Sequence, residues 1–242
     1  MTQNIYDDPE FFEGYSQLPR SIVGLDGAPE WASLRALLPD IRGRRVVDLG
    51  CGYGWFCRWA AEQGAESVLG IDVSVMMLAK AAAMTTDTAI TYTHGDLEHL
   101  ELPQASFDLA YSSLAFHYLE HLPKLLATVY NALVPGGSLI FSVEHPLLTA
   151  PSQPAWTRDA EGRKRWPIDS YLLEGLRITN WISEGVVKQH RTLSTYINLL
   201  LNAGFNISHV DEWGPTDAQI AKQPNLAEER QRPTFLLIAA NR

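Results

Sequence analysis

Sulfur and basic charge are both scarce in this chain. Its 242 residues hold two cysteines, Cys51 and Cys57. Such a pair excludes a disulfide framework, and no metal-type Cys/His spacing surrounds it, so no metal is expected. Lys and Arg number 19 against 28 Asp and Glu, for a net charge of −9 and a pI near 5.2. Standing contact with a nucleic acid backbone rests on clustered Lys and Arg, so no nucleic acid partner is expected. No apolar run reaches the roughly 18 residues of a membrane span, and the polar, acidic N-terminus lacks the regions of a signal peptide. Internal repeats and low-complexity segments are absent too. The expectation is a soluble cytoplasmic protein, a monomer or homodimer, whose partner is a small molecule.

What is present suits one large α/β domain or a core with a modest insertion, the hydrophobic share being 46%. The chain is organised around Val46-Val47-Asp48-Leu49-Gly50-Cys51-Gly52-Tyr53-Gly54. The valines read as a short buried strand, and the glycines turn the backbone into a helix that starts near Trp55. Three glycines in five residues allow a ligand close to the main chain. After Val68-Leu69-Gly70-Ile71 comes Asp72, where an α/β nucleotide fold places its ribose-binding carboxylate. A dinucleotide fingerprint, Gly-x-Gly-x-x-Gly, would put its third glycine at position 55, which is tryptophan. The spacing here is Gly-x-Gly-x-Gly.

Asp48 to Gly54 and Gly70-Ile71-Asp72-Val73-Ser74 resemble motifs I and II of the class I S-adenosylmethionine-dependent methyltransferases. The likeness runs through His94-Gly95-Asp96-Leu97, Phe107 to Ser113 and Leu133 to Leu139, and is greatest to the type 11 small-molecule group. It implies an α/β, Rossmann-like, seven-stranded, mostly parallel sheet with one antiparallel edge strand, helices on both faces and an inserted substrate cap. It also implies S-adenosyl-L-methionine as cofactor, S-adenosyl-L-homocysteine as product, and methyl transfer to an O, N or C atom of a small acceptor. The implied cofactor residues are Asp48, Gly50, Cys51, Gly52, Gly54, Asp72, Val73, Met77, Asp96, Leu97 and Ser112, joined by Tyr15 and Arg20 from a leading lid segment. Asp96 would lie beside the adenine amino group and Leu97 N–H beside a ring nitrogen.

Four segments follow from this reading: a lid and helix over 1–40, the cofactor-binding core over 41–146, a substrate cap over 147–190, and completion of the sheet over 191–242. Within the cap, 171–174 and 176–181 are expected to pair as a hairpin, and 214–233 to be a surface excursion. Tyr6, Tyr118, Trp166 and His190 are expected to touch the acceptor. The aromatic and basic character of the cap, including Arg163-Lys164-Arg165, points to a planar or acidic acceptor. His117 and His145 follow the carboxyl ends of core strands and are the expected general bases, since imidazole titrates near neutral pH. Glu144 is the carboxylate alternative. Two other readings stay open: a non-catalytic module that binds S-adenosylmethionine or S-adenosylhomocysteine, and an NAD(P)-dependent oxidoreductase.

Overall fold

The computed structural model describes residues 3–242, and its first strand, Arg45–Leu49 (β1), is buried on both faces. Val46 and Val47 are consecutive and no more than 1% exposed, yet they belong to different cores. Side chains alternate along a strand, so a sheet covered on both sides needs such consecutive apolar residues. Val46 belongs to the core that also holds Trp31, Leu34, Phe56 and Ala60, from the helices Trp31–Leu37 and Trp55–Glu62. Val47 belongs to the core that also holds Leu125, Leu126, Val129 and Leu200, from Leu122–Ala132 and Leu193–Asn202.

The other core strands are Ser67–Asp72 (β2), Ile90–His94 (β3), Phe107–Ser113 (β4), Leu133–Glu144 (β5), Asn206–Trp213 (β6) and Phe235–Asn241 (β7). The seven form one sheet in the order β6-β7-β5-β4-β1-β2-β3. Pairing is parallel from β3 through β5, whereas β7 runs antiparallel to both β5 and β6. The antiparallel pairing therefore falls at one edge of a mostly parallel sheet, as expected. The reversed strand itself is β7, one place in from the margin. Connections depart in opposite directions from β1 and β4, which opens a crevice beyond their carboxyl ends.

Local chemistry sets the helix starts around that crevice. Gly54, at φ +69°, lets the chain enter Trp55–Glu62 directly from the loop. Ser74 Oγ accepts from Met77 N–H and caps Val75–Ala83, and Thr192 caps Leu193–Asn202 in the same way. Residues 175–190 form a two-stranded hairpin, Gly175–Trp181 against Ser183–His190. This differs from the expected pairing of 171–174 with 176–181. The 171–174 stretch instead docks on the helix that follows: Glu174 accepts from Thr192 N–H, and Tyr171 Oη from Leu193 N–H. Among the described residues no helix is long and apolar enough to cross a membrane.

Candidate active site

The glycine loop leaves β1 with Gly50 and Cys51 both donating backbone N–H to the Ile71 carbonyl. Its three glycines have different duties. A Cβ on Gly50 would lie 2.5 Å from the Ala115 Cβ, and one on Gly54 would lie 2.0 Å from the Tyr92 hydroxyl. A Cβ on Gly52 would meet nothing within 4 Å. Gly50 and Gly54 are glycines for packing, while Gly52 keeps open space beside the loop. That space belongs to a cavity of about 610 Å³ at the carboxyl ends of β1, β2, β4 and β5, a typical small-molecule volume. A second space of about 90 Å³ adjoins it and shares Tyr15, Arg20, Gly50 and Gly52 with it.

Asp72 ends β2 at the wall of the larger cavity. Gly52 N–H donates to its Oδ2 at 2.8 Å and Ser74 N–H to its Oδ1 at 2.9 Å, so the loop fixes the carboxylate. Burial raises its pKa against these hydrogen bonds. Val73, Met77, Asp96 and Leu97 line the same wall. Asp96 also caps its own turn, accepting from Glu98 N–H and from His99. Asp48 and Cys51 line the smaller space instead. Asp48 accepts from the Cys57 thiol at 3.2 Å, and burial pushes its carboxyl up to about 7.

The N-terminal segment crosses the cavity. Gln3 pairs with Gly185 O and Val187 N–H of the hairpin. Asp7 accepts from Ser74 Oγ at 2.6 Å and from the backbone of Val75 and Met76 at the start of the next helix. Between these anchors Tyr6 meets Tyr118, hydroxyl to hydroxyl, at 3.1 Å, and beyond them Tyr15 packs edge-on to Tyr53 and Trp181. Arg20 is held by Glu30 at 2.9 Å and borders both spaces.

At the far end β5 delivers Glu144, whose carboxylate pairs with Lys188 of the hairpin at 2.5 Å. Lys188 is 3% exposed, and its ammonium lies near the rings of Tyr118 and Trp181. Burial alone would raise the Glu144 carboxyl, but His117 and Lys188 outweigh it and hold it low. His117 lines the cavity as expected, yet its chemistry differs. Its Nδ1 accepts from Glu144 N–H at 3.3 Å, which leaves the proton on Nε2, an atom with no partner. Burial brings its pKa down to about 4. A neutral ring whose free lone pair is already used is poorly suited to take a proton.

Several expected residues lie outside the cavity lining. His145 caps the Pro146–Thr149 turn, with Nδ1 accepting from Leu147 N–H and Nε2 bonded to Glu212. His190 uses Nε2 on the Tyr171 carbonyl and Nδ1 on the Thr149 hydroxyl, so both nitrogens are committed. Trp166 donates to the Leu147 carbonyl and stacks over Arg232. Ser112 points inward and ties β4 to the Leu49 carbonyl, while Ser113 faces the cavity, the alternation of one strand deciding between neighbours. Gly54 is a packing residue. The basic run is neutralised: Arg163 and Arg165 share Asp159, Arg163 also pairs with Glu161, and Lys164 pairs with Glu228. Conversely Lys188 and Arg177 line the cavity although the sequence does not mark them as site residues, as does Trp181, one of the cap's aromatics; so do Gln223, Asn225 and Leu226 of the stretch expected to be a surface excursion. Alternation in 176–190 could have signalled the hairpin residues; nothing local marks the last three.

The open space at Gly52, the fixed Asp72 carboxylate and a buried Trp55 Nε1 without a partner beside the smaller space fit a nucleoside with a polar tail. A family model described as "Methyltransferase domain" (type 11) matches residues 47–141. A crystal structure of an S-adenosylmethionine-dependent methyltransferase from Mesorhizobium loti is 60% identical, covers 90% of this chain and 100% of its own, and superposes with a TM-score of 0.88. A Listeria monocytogenes structure assigned to the same class is 41% identical over 89% and 98% of the two chains, with a TM-score of 0.81. A malonyl-[acyl-carrier protein] O-methyltransferase of Erwinia billingiae is 40% identical over 102 residues, 42% of this chain and 39% of that one. The glycine spacing, the acid after β2 and the sheet order therefore have one source: the chain belongs to the class I S-adenosylmethionine-dependent methyltransferases, type 11 group.

Proposed function

We propose that this enzyme transfers the methyl group of S-adenosylmethionine to an O, N or C atom of a small-molecule acceptor held in the same cavity. One observation carries the reading. The cavity is continuous from Gly52 and Asp72 at one end to Glu144, Lys188 and Trp181 at the other, so cofactor and acceptor can lie in line within it. When bound, the cofactor supplies a methyl group on an electron-poor sulfonium sulfur, open to displacement from the rear.

The chain's own residues would act as follows. Asp72 takes the ribose hydroxyls on its remaining acceptor positions, and Asp96 with Leu97 N–H faces the adenine. Arg20 and Trp55 Nε1, on the smaller space, receive the methionyl end. Residues 147–190 form the acceptor cap, with the 175–190 hairpin over the far end. Tyr6, Tyr15, Tyr118 and Trp181 exclude water and present aromatic faces to a cationic centre. The rate advantage comes mainly from holding the reacting atoms in register, which needs no protein nucleophile. His117 serves as a neutral wall residue that positions Glu144 N–H, and no proton is assigned to it.

The test is to incubate the full chain with S-adenosylmethionine and a library of small acceptors, following S-adenosylhomocysteine release. Turnover with at least one acceptor, lost in Trp181→Ala with cofactor affinity intact, is expected. Tight cofactor binding with no turnover on any acceptor would favour the non-catalytic binding module.

A further inference from the structure

The 175–190 hairpin turns one face toward the cavity, and that face carries two cations opposite each other. Residues at odd positions of Gly175–Trp181 are the more covered set, and Arg177, Thr179 and Trp181 all line the cavity. Arg177 pairs in register with Lys188, itself a cavity residue. Like charges directly opposite on a sheet are unfavourable unless something between them is negative. Glu144 answers only one of them, Lys188.

Arg177 is arranged differently. Its Nε, Nη1 and Nη2 donate to the carbonyls of Ala150, Leu176, Ser170 and Leu173, which fixes the plane of the guanidinium. Carbonyl dipoles orient the group without cancelling its charge. Asp169 feels that charge from a distance: its oxygens accept from Ser152 N–H and Oγ, and it forms no ion pair with Arg177. Of the three Lys and Arg side chains in the cavity wall, Arg20 has Glu30 and Lys188 has Glu144; among the described residues Arg177 forms no ion pair. A guanidinium without an ion pair therefore stands at the acceptor end of a chain whose net charge is −9.

Resting on the methyltransferase reading, we propose that the methyl acceptor is a small organic anion whose carboxylate or phosphate is seated against Arg177. Four of the five guanidinium N–H groups are held by these carbonyls, so the remaining Nη1–H and the undiminished charge are what an oxyanion oxygen would meet, in one charge-assisted hydrogen bond. The body of the acceptor lies against the aromatic wall of Tyr118, Trp181 and Phe235, directing the atom to be methylated toward the cofactor end. Arg177 is thereby the residue that selects the acceptor by charge, a role the 163–165 run cannot fill because its charges are already paired.

The experiment uses the full chain saturated with S-adenosylhomocysteine, titrated calorimetrically with matched pairs: phenylacetate and phenylacetamide, indole-3-acetate and its amide, phenyl phosphate and phenol. In at least one pair the anion is expected to bind about ten- to a hundredfold more tightly than its neutral partner. Arg177→Gln should abolish that preference and Arg177→Lys keep part of it, with S-adenosylhomocysteine affinity unchanged in both. The carboxylate and phosphate pairs separate the two oxyanions. Neutral partners binding equally well, no anion binding, or a preference that survives in Arg177→Gln would each overturn the proposal. Failure of the wild-type chain to bind S-adenosylhomocysteine would instead remove the methyltransferase reading beneath it.

Discussion

The two ends of the cavity are built by different means. At the glycine-loop end the backbone dominates: Gly52 N–H and Ser74 N–H fix Asp72, and the Ile71 carbonyl holds the loop. The residues concerned follow one another closely in sequence. At the hairpin end, side chains dominate, and they come from β4's exit, β5, the hairpin and the N-terminal segment. A backbone-built site tolerates drift in most side chains, whereas a side-chain site can be remade by a few substitutions. One end is suited to a constant ligand and the other to a variable one.

Removing one member of the buried ion pair should strike the side-chain end hardest. Lys188→Met leaves Glu144 buried without its partner, and a loss of about 3 kcal/mol of stability in urea unfolding is expected. Glu144→Gln with Lys188→Met together should recover much of it. Acid should weaken the same end. His117 titrates near 4 in the fold against about 6.5 free, so the unfolded chain binds more protons between these values. The associated stability is complete above pH ~6.5 and is lost as pH falls toward ~4, by up to roughly 3 kcal/mol. Unfolding midpoints across that window should fall in the wild type and flatten in His117→Gln.

At the backbone end, Asp72→Ala should lower S-adenosylhomocysteine affinity about a hundredfold by calorimetry, with a smaller effect on stability. The glycines sharpen the contrast. Gly54→Ala, at φ +69° and against Tyr92, should cost about 2 kcal/mol of stability. Gly52→Ala meets open space, so its stability cost should be about half that and its main effect a loss of cofactor affinity. The smallest effect belongs to the segment that bridges the ends. Asp7→Asn weakens its hold on Ser74 and Met76 and should speed S-adenosylhomocysteine release about threefold in stopped flow.

Legibility in the sequence follows the same division. Val46-Val47 before glycines, Ser74 and Thr192 as caps, and the acid at 72 are local signals with local causes, and each lies where its neighbours predict. The seven-stranded, mostly parallel sheet followed from the family resemblance, and its strand order from the structure. His117, His145 and His190 look alike in sequence because all three lie near element ends. Their roles differ through distant partners, namely Glu144 N–H, Glu212 and Thr149 with Tyr171. Ser112 and Ser113 were separated by strand phase alone. The charge of 163–165 was visible in the sequence, but Asp159 and Glu228, which cancel it, only become partners in the fold.

The most direct test of the central claim is calorimetric titration of the intact wild-type chain with S-adenosylmethionine, S-adenosylhomocysteine and NADH. The open space at Gly52 and the carboxylate fixed at Asp72 predict micromolar binding of the first two, and Trp55, where a dinucleotide fingerprint needs its third glycine, predicts none of NADH. Tight NADH binding without any response to the adenosyl compounds would contradict the account.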